Sequence, residues 1–246
     1  MNKKMLIIIA PLIALVLMSC GFNVNFNGRR IEGSGNAKTE TREVSNIERV
    51  SMEGEGDLTI IQGDEESLTV EADDNLLPYI ETRMDGRELV LTIKDGYSID
   101  TRTKIRYTLK LKEVNRIAVS GAGDVSADSL KVGDLALEIS GAGDMRINDL
   151  QAEDLTTRTS GSGNFELKGK VKTQQITING AGNYTAGELE STEAEATISG
   201  AGNVVVWATD TLDVKVTGVG NVSYYGKPSV SQSITGGGSV NGLGSK

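Results

Sequence analysis

The residues with the clearest chemical potential in this chain form a series of carboxylates and amides. Asp57, Asp124 and Asp144, then Asn164, Asn183, Asn203 and Asn221, each close a short Gly-x-Gly phrase. Acidic side chains after such phrases hold calcium in some β-rolls, through hard oxygen ligands. That calcium repeat is about nine residues long, and the spacing here is roughly twice as great. The series also exchanges Asp for Asn along the chain, which drops the charge and keeps the shape. Hydrogen bonding between stacked side chains explains that exchange better than a metal array, so neither metal nor cofactor is expected.

Other chemistry is thin. The chain has no histidine, which rules out histidine-based triads. A polysaccharide-active enzyme is the alternative, because that chemistry needs only a carboxylate pair on one face. Glu138, Arg158 and Glu166 are outward-facing candidates, but their phase keeps them apart. Arg146 and Glu166 fall in one row, where an ion pair is the ordinary outcome. A formal net charge of −9 over 246 residues argues against nucleic acid, which demands a concentrated basic footprint. Cys20 is the one cysteine, so no disulfide can form within the chain. It follows Leu17-Met18-Ser19, an apolar run over 5–17 and the basic pair Lys3 and Lys4. This is the layout of a secretory leader, and its end resembles a bacterial lipobox with Cys20 as the lipidated residue. Buried acyl methylenes contribute about 0.8 kcal/mol each, so a membrane surface is the expected partner.

The elements that position the Asp and Asn series come from a repeat. Ser120-Gly-Ala-Gly-Asp124 returns at 140, 160, 179, 199, 217 and 235, with advances of 20, 20, 19, 20, 18 and 18 residues. A fixed period of this size marks a solenoid, whose coils bury their apolar faces only against each other. Gly121 and Gly123, Gly141 and Gly143, Gly161 and Gly163, Gly180 and Gly182, Gly200 and Gly202, and Gly218 and Gly220 then form a corner column. Glycine fits there because it reaches unusual backbone regions and has no side chain to strike its copy in the next coil. Before each corner an alternating strand buries pairs such as Ile117 and Val119, Leu137 and Ile139, or Ile176 and Ile178. After it, pairs such as Met145 and Ile147, Phe165 and Leu167, or Val204 and Val206 point inward. Ala118, Glu138, Arg158, Thr177, Thr197 and Lys215 are expected to face outward. A third segment, as at 130–135, 150–155 and 189–194, brings the chain back. The fold class is therefore all-β: a three-sided parallel β-helix with about 20 residues per coil.

Taken in order, 1–19 reads as a lipoprotein signal peptide. The stretch 20–43 reads as a lipidated Cys20 and a flexible tether, since few apolar residues offset its ordering entropy. A β-solenoid domain then fills 44–245, with an irregular β block over 44–115 and regular coils over 116–245. Within the block, 80–84 and 88–94 form a hairpin about Asp85-Gly86, while 75–79 and 97–103 are loops. The block either caps the solenoid or extends it.

These motifs, with Arg49-Val50-Ser51, Gly54-Glu55-Gly56-Asp57, Leu58-Thr59-Ile60-Ile61-Gln62-Gly63 and Gly86-Arg87-Glu88-Leu89-Val90-Leu91, resemble the putative auto-transporter adhesin, head GIN domain family. The resemblance spans about 44–245. It implies a right-handed β-helix and carries no catalytic residue with it. The function expected is that of an outer-membrane lipoprotein of a Gram-negative envelope, on the periplasmic or the surface face. Its domain would be a non-catalytic, adhesin-like scaffold whose long outer rows suit a glycan or an envelope protein. Trp207, Tyr225 and Val205 either form an exposed patch or fold into their corners. The last coil thins into Gly236-Gly237-Gly238, an open end through which copies of the chain could associate.

Overall fold

The computed structural model describes residues 29–246; the leader and Cys20 lie outside them. Strands β1 (Arg29–Glu32) and β2 (Ala37–Arg42) come first, then β3 (Arg49–Met52), β4 (Asp57–Gln62) and β5 (Ser67–Asp73). A 3-10 turn at Leu77–Tyr79, entered through Pro78, leads to β6 (Ile80–Asp85), β7 (Glu88–Ile93), β8 (Tyr97–Asp100) and β9 (Arg106–Leu111). The regular coils contain β10 (Arg116–Val119), β11 (Val125–Ala127), β12 (Leu130–Lys131) and β13 (Asp134–Ile139). Long bent strands follow: β14 (Met145–Thr159), β15 (Phe165–Ile178), β16 (Tyr184–Ile198) and β17 (Val204–Val216). The chain finishes with β18 (Val222–Tyr225), β19 (Ser229–Ile234) and β20 (Val240–Gly244).

Each coil contributes three sides, and every side stacks in parallel on the coil before it. Ile117 lies opposite Leu137, Leu137 opposite Thr157, and Thr157 opposite Ile176. Val125, Met145, Phe165, Tyr184 and Val204 stack the same way on the second side. Leu130, Leu150 and Gly169 stand in line on the third. The register shifts between Ile147 and Leu150, where the long strand β14 bends from the second side to the third. In the coils before the last, the inward positions of the first side are buried, from Ile117 at 1% exposure to Val216 at 0%, and they belong to one continuous core. Two-residue alternation thus becomes a filled interior, because only one face of every strand meets its neighbours. Ala118 is the exception among the outward positions: it is buried. A side chain this short is covered by its row neighbours, Ser51 and Glu138.

The N-terminal block both extends and caps the solenoid. β7 and β9 pair in parallel with β3 and β4, which in turn pair with β10 and β11. The outermost rung is therefore built from strands that come later in the chain than the rung inside it. Beyond it the direction reverses. β6 runs antiparallel to β7, β5 antiparallel to β9, and β2 antiparallel to β5. The stretch expected to be a tether is thus strand in its second half, and the loop expected over 97–103 contains β8, which pairs with β1. Their polarity is that of edge strands with one or both faces in water.

Asp73 ties this cap together. It is fully buried and accepts from Gly35 N at 2.8 Å, Arg102 N at 2.9 Å, Thr103 N at 3.0 Å and Thr103 Oγ1 at 2.9 Å. Burial alone would raise its carboxyl, but these donors outweigh it and hold the group below the usual aspartate range. Arg42 adds bonds to Ile80 O at 2.6 Å and Leu77 O at 3.0 Å, which join β2 to the turn beneath it.

Candidate functional site

The corner glycines form a column along one edge. Parallel bridges join Glu55, Ala122, Ala142, Ser162, Ala181, Ala201, Val219 and Gly237, the middle residue of each corner. A Cβ on Gly121, Gly141, Gly161, Gly180, Gly200 or Gly218 would lie 1.8–2.1 Å from a carbonyl oxygen of the preceding corner. On Gly123, Gly143, Gly163, Gly182, Gly202 or Gly220 the same distance is 1.8–2.0 Å. Among these twelve, only Gly123 and Gly143 have clearly positive φ. Close backbone approach, rather than backbone freedom, is what requires glycine along most of the column.

The Asp and Asn side chains make a directional ladder. Asp144 N donates to Asp124 Oδ1 at 2.9 Å, and Asp144 Oδ1 accepts from Asn164 N at 2.9 Å and Asn164 Nδ2 at 2.8 Å. Asn164 Oδ1 accepts the same pair from Asn183, Asn183 from Asn203, and Asn203 from Asn221. Asn221 Oδ1 ends the line by accepting from Ser239 N and Oγ. An amide rung both donates to the rung before it and accepts from the rung after it, whereas a carboxylate side chain only accepts. The aspartates therefore stand at the accepting end. Asp57, one rung earlier, pairs with Lys104 Nζ at 2.5 Å. Among the described residues, no three Asp, Glu, Cys or His side chains come together as a metal site. The column is structural in its contacts, and the outer faces hold the groups available to a partner.

On those faces the carboxylate candidates Glu138 and Glu166 are engaged in ion pairs, while Arg158 is exposed. Arg146 Nε meets Glu166 Oε2 at 2.8 Å, and Arg116 bridges Glu138 at 2.8 Å and Glu88 at 3.0 Å. Glu138 and Glu166 are thus held apart on different rows. The most distinctive surface lies near the C-terminal end, where the second side turns into the third. Trp207 and Tyr225 occupy matching positions on consecutive rungs, and Val205 is in the adjacent outward row. All three are half-buried, so Trp207 neither projects fully nor folds away. The Tyr225 ring reaches back over Gly187: a Cβ there would lie 3.0 Å from Tyr225 Cε2 and 3.2 Å from Val205 Cγ1. Glycine at 187 leaves room for the Tyr225 ring. A shallow cleft of ≈ 210 Å³ beside it is lined by Glu166, Lys168, Thr185, Gly187, Val205 and Tyr225, among others. Lys246 Nζ lies 4.8 Å from the Tyr225 ring centre and 5.6 Å from that of Trp207, a cation–π arrangement.

A buried polar chain fixes this platform from within. Tyr184 Oη donates to Gln174 Oε1 at 2.9 Å, and Gln174 Nε2 donates to Ser191 Oγ at 2.7 Å. Ser191 Oγ donates to the Trp207 carbonyl at 2.8 Å. Burial pushes the Tyr184 hydroxyl far above its ordinary range, so it stays a neutral donor. Gln174 stands in a row between Leu155 and Ala194, and that interruption of an apolar row is the one sequence signal that marked it. At the first corner, burial and the negative charge of Asp100 raise the Glu55 carboxyl.

Fold and outer face together define a parallel β-solenoid with a filled interior and patterned rows. The chain belongs to the family "Putative auto-transporter adhesin, head GIN domain", whose model matches residues 46–228. Among solved structures it is similar to a putative adhesin from Bacteroides fragilis, 26% identical with a TM-score of 0.83, covering 87% of this chain and 100% of that one. A putative lipid binding protein from Parabacteroides distasonis is 25% identical with a TM-score of 0.71, over 87% and 100% of the two chains. A putative adhesin from Parabacteroides merdae, at 23% identity, TM-score 0.70 and coverage of 88% and 100%, shares the fold. No curated protein matches the sequence.

Proposed function

We propose that this chain is a non-catalytic, envelope-associated binding scaffold that takes glycan on its outer face. The Trp207–Tyr225 platform carries the reading. Two rings stand on consecutive rungs, with Gly187 making room for Tyr225 and Ser191 bonded to the Trp207 carbonyl, beside Glu166, Lys168 and Thr185. Aromatic faces pack against the C–H faces of sugar rings, and the polar neighbours supply hydrogen bonds to hydroxyls. A glycan is preferred to a lipid because the solenoid interior is filled, with Tyr107 and Tyr184 among its fully buried side chains. The adhesin names of the family and of two structural neighbours support an envelope setting. No helix among the described residues is long and apolar enough to cross a membrane. Attachment is assigned to Cys20 as a lipidated residue, with the domain held at a membrane surface.

Residues 29–246 would be titrated against an envelope glycan array and followed by Trp207 fluorescence, Trp207 being the only tryptophan. Saturable binding is expected, lost by at least about tenfold in Trp207→Ala and Tyr225→Ala. Binding that both variants retain, or an array with no hits while an envelope protein binds, would overturn the glycan reading. For the anchor, metabolic labelling of the full chain with a radioactive fatty acid should fail in Cys20→Ser.

A further inference from the structure

The two ends of the solenoid are finished differently. At the N-terminal end, antiparallel strands close the stack, and their free edges carry Lys38, Glu40 and Arg42 on β2 and Glu81, Arg83 and Asp85 on β6. Charged side chains of this kind prevent further strand addition. At the C-terminal end nothing follows β19 and β20 among the described residues. The inward positions of β19, Val230 and Ile234, continue the rows of Leu212 and Val216, which are fully buried. Val230 and Ile234 are nevertheless 37% and 36% exposed, because no rung among the described residues covers them. From Pro228 to Ser245 the chain carries no charged side chain, in a protein of net charge −9.

We propose that this rung is a self-association edge, where β19 of one copy pairs antiparallel with β19 of a second copy. The occupant follows from charge and from the ends available. Two acidic chains repel over most of their surface, and the neutral rung is where they can approach. The charges on the cap's free edges block strand addition at the other end, so head-to-tail growth has no acceptor. Like must meet like about a two-fold axis, which closes the assembly as a dimer. Side-chain alternation then sets the register. Inward residues must oppose inward residues, and Val230 opposite Ile234 of the second copy buries apolar against apolar. That register places the axis at Gln232, whose amide meets its own copy as in a stacked ladder. The dimer carries two Trp207–Tyr225 platforms, so a polymeric partner would be held at two points.

The test uses residues 29–246, which hold every strand described above and no cysteine. Sedimentation velocity should show a concentration-dependent monomer–dimer equilibrium, and Ile234→Lys should be monomeric with unchanged circular dichroism. Gln232→Cys should give a covalent dimer on mild oxidation, well above Ser126→Cys on the outer face as a control. The cross-link tests the register even if Ile234→Lys fails to fold. A monomer at every concentration up to about 1 mM, cross-linking no greater than the control, or growth beyond two copies would overturn the proposal.

Discussion

Asn203 stands in mid-ladder, donating from Nδ2 to Asn183 Oδ1 at 3.1 Å while its own Oδ1 accepts from Asn221. Asn203→Asp keeps the size and the acceptor but loses the donor, and sets a carboxylate oxygen against Asn183 Oδ1. A loss of about 1 kcal/mol is expected in urea unfolding. Asp144→Asn is the reverse case. Asp144 keeps its accepting role and gains an amide facing Asp124, so stability should hold or rise by less than about 1 kcal/mol, its site being exposed. Equal losses in both variants would show that ladder polarity is irrelevant. Asp73 makes a separate prediction in pH. Its folded carboxyl lies below its unfolded value, so its contribution is present above about pH 4 and fades as pH falls through the folded pKa. Hydrogen exchange at Gly35 and Thr103 should accelerate as pH falls through that folded pKa. Asp73→Asn should flatten that dependence, and an unchanged pH profile in the variant would refute it.

At the scale of the element, the corner decides which glycines can be replaced. A Cβ on Gly182 would stand 1.8 Å from Gly163 O, a backbone atom with nowhere to retreat, whereas one on Gly133 meets nothing within 4 Å. Gly182→Ala should cost at least about 3 kcal/mol; Gly133→Ala should be neutral or stabilising by up to about 1 kcal/mol. Thermal midpoints that move alike would show that the column is not sterically fixed. This contrast also explains what was legible in the sequence. The corner must satisfy the same contact in every coil, so its residues repeat and the period can be read directly. Strand alternation is legible for the same reason, as with Phe165 and Leu167 or Ile176 and Ile178, all buried. The polar chain through Gln174 and Ser191 occurs once, across three successive coils, and has no period to announce it. The room for the Tyr225 ring depends on Gly187, which lies outside the corner phrase and carries no repeat signal.

For the whole molecule, stacking order and cap could not be read, because both depend on pairings between distant segments. Nothing local in 88–93 or 106–111 shows that they stack outside the earlier strands β3 and β4. Nor does a polar run such as Ala37–Arg42 look ordered until β5 is beside it and Arg42 reaches Ile80 O and Leu77 O. This makes the start of the folded unit a physical question. A chain beginning at residue 44, close to where the family match begins, would lack β1 and β2. It would lose one donor to the buried Asp73 and both Arg42 bonds, and it would expose the edge of β5. That edge carries Leu68, Val70 and Ala72 on its inward face and lacks the alternating charges of β2. Compared with residues 29–246, the shorter chain should unfold at lower urea by several kcal/mol, since buried hydrogen-bonded groups are left unpaired at about 1–3 kcal/mol each. It should also scatter light as concentration rises, because an uncovered strand edge recruits other chains. If both chains match in stability and neither aggregates, the antiparallel strands decorate the solenoid without closing it. The asymmetry between a sealed end and an open one would then no longer follow from the fold.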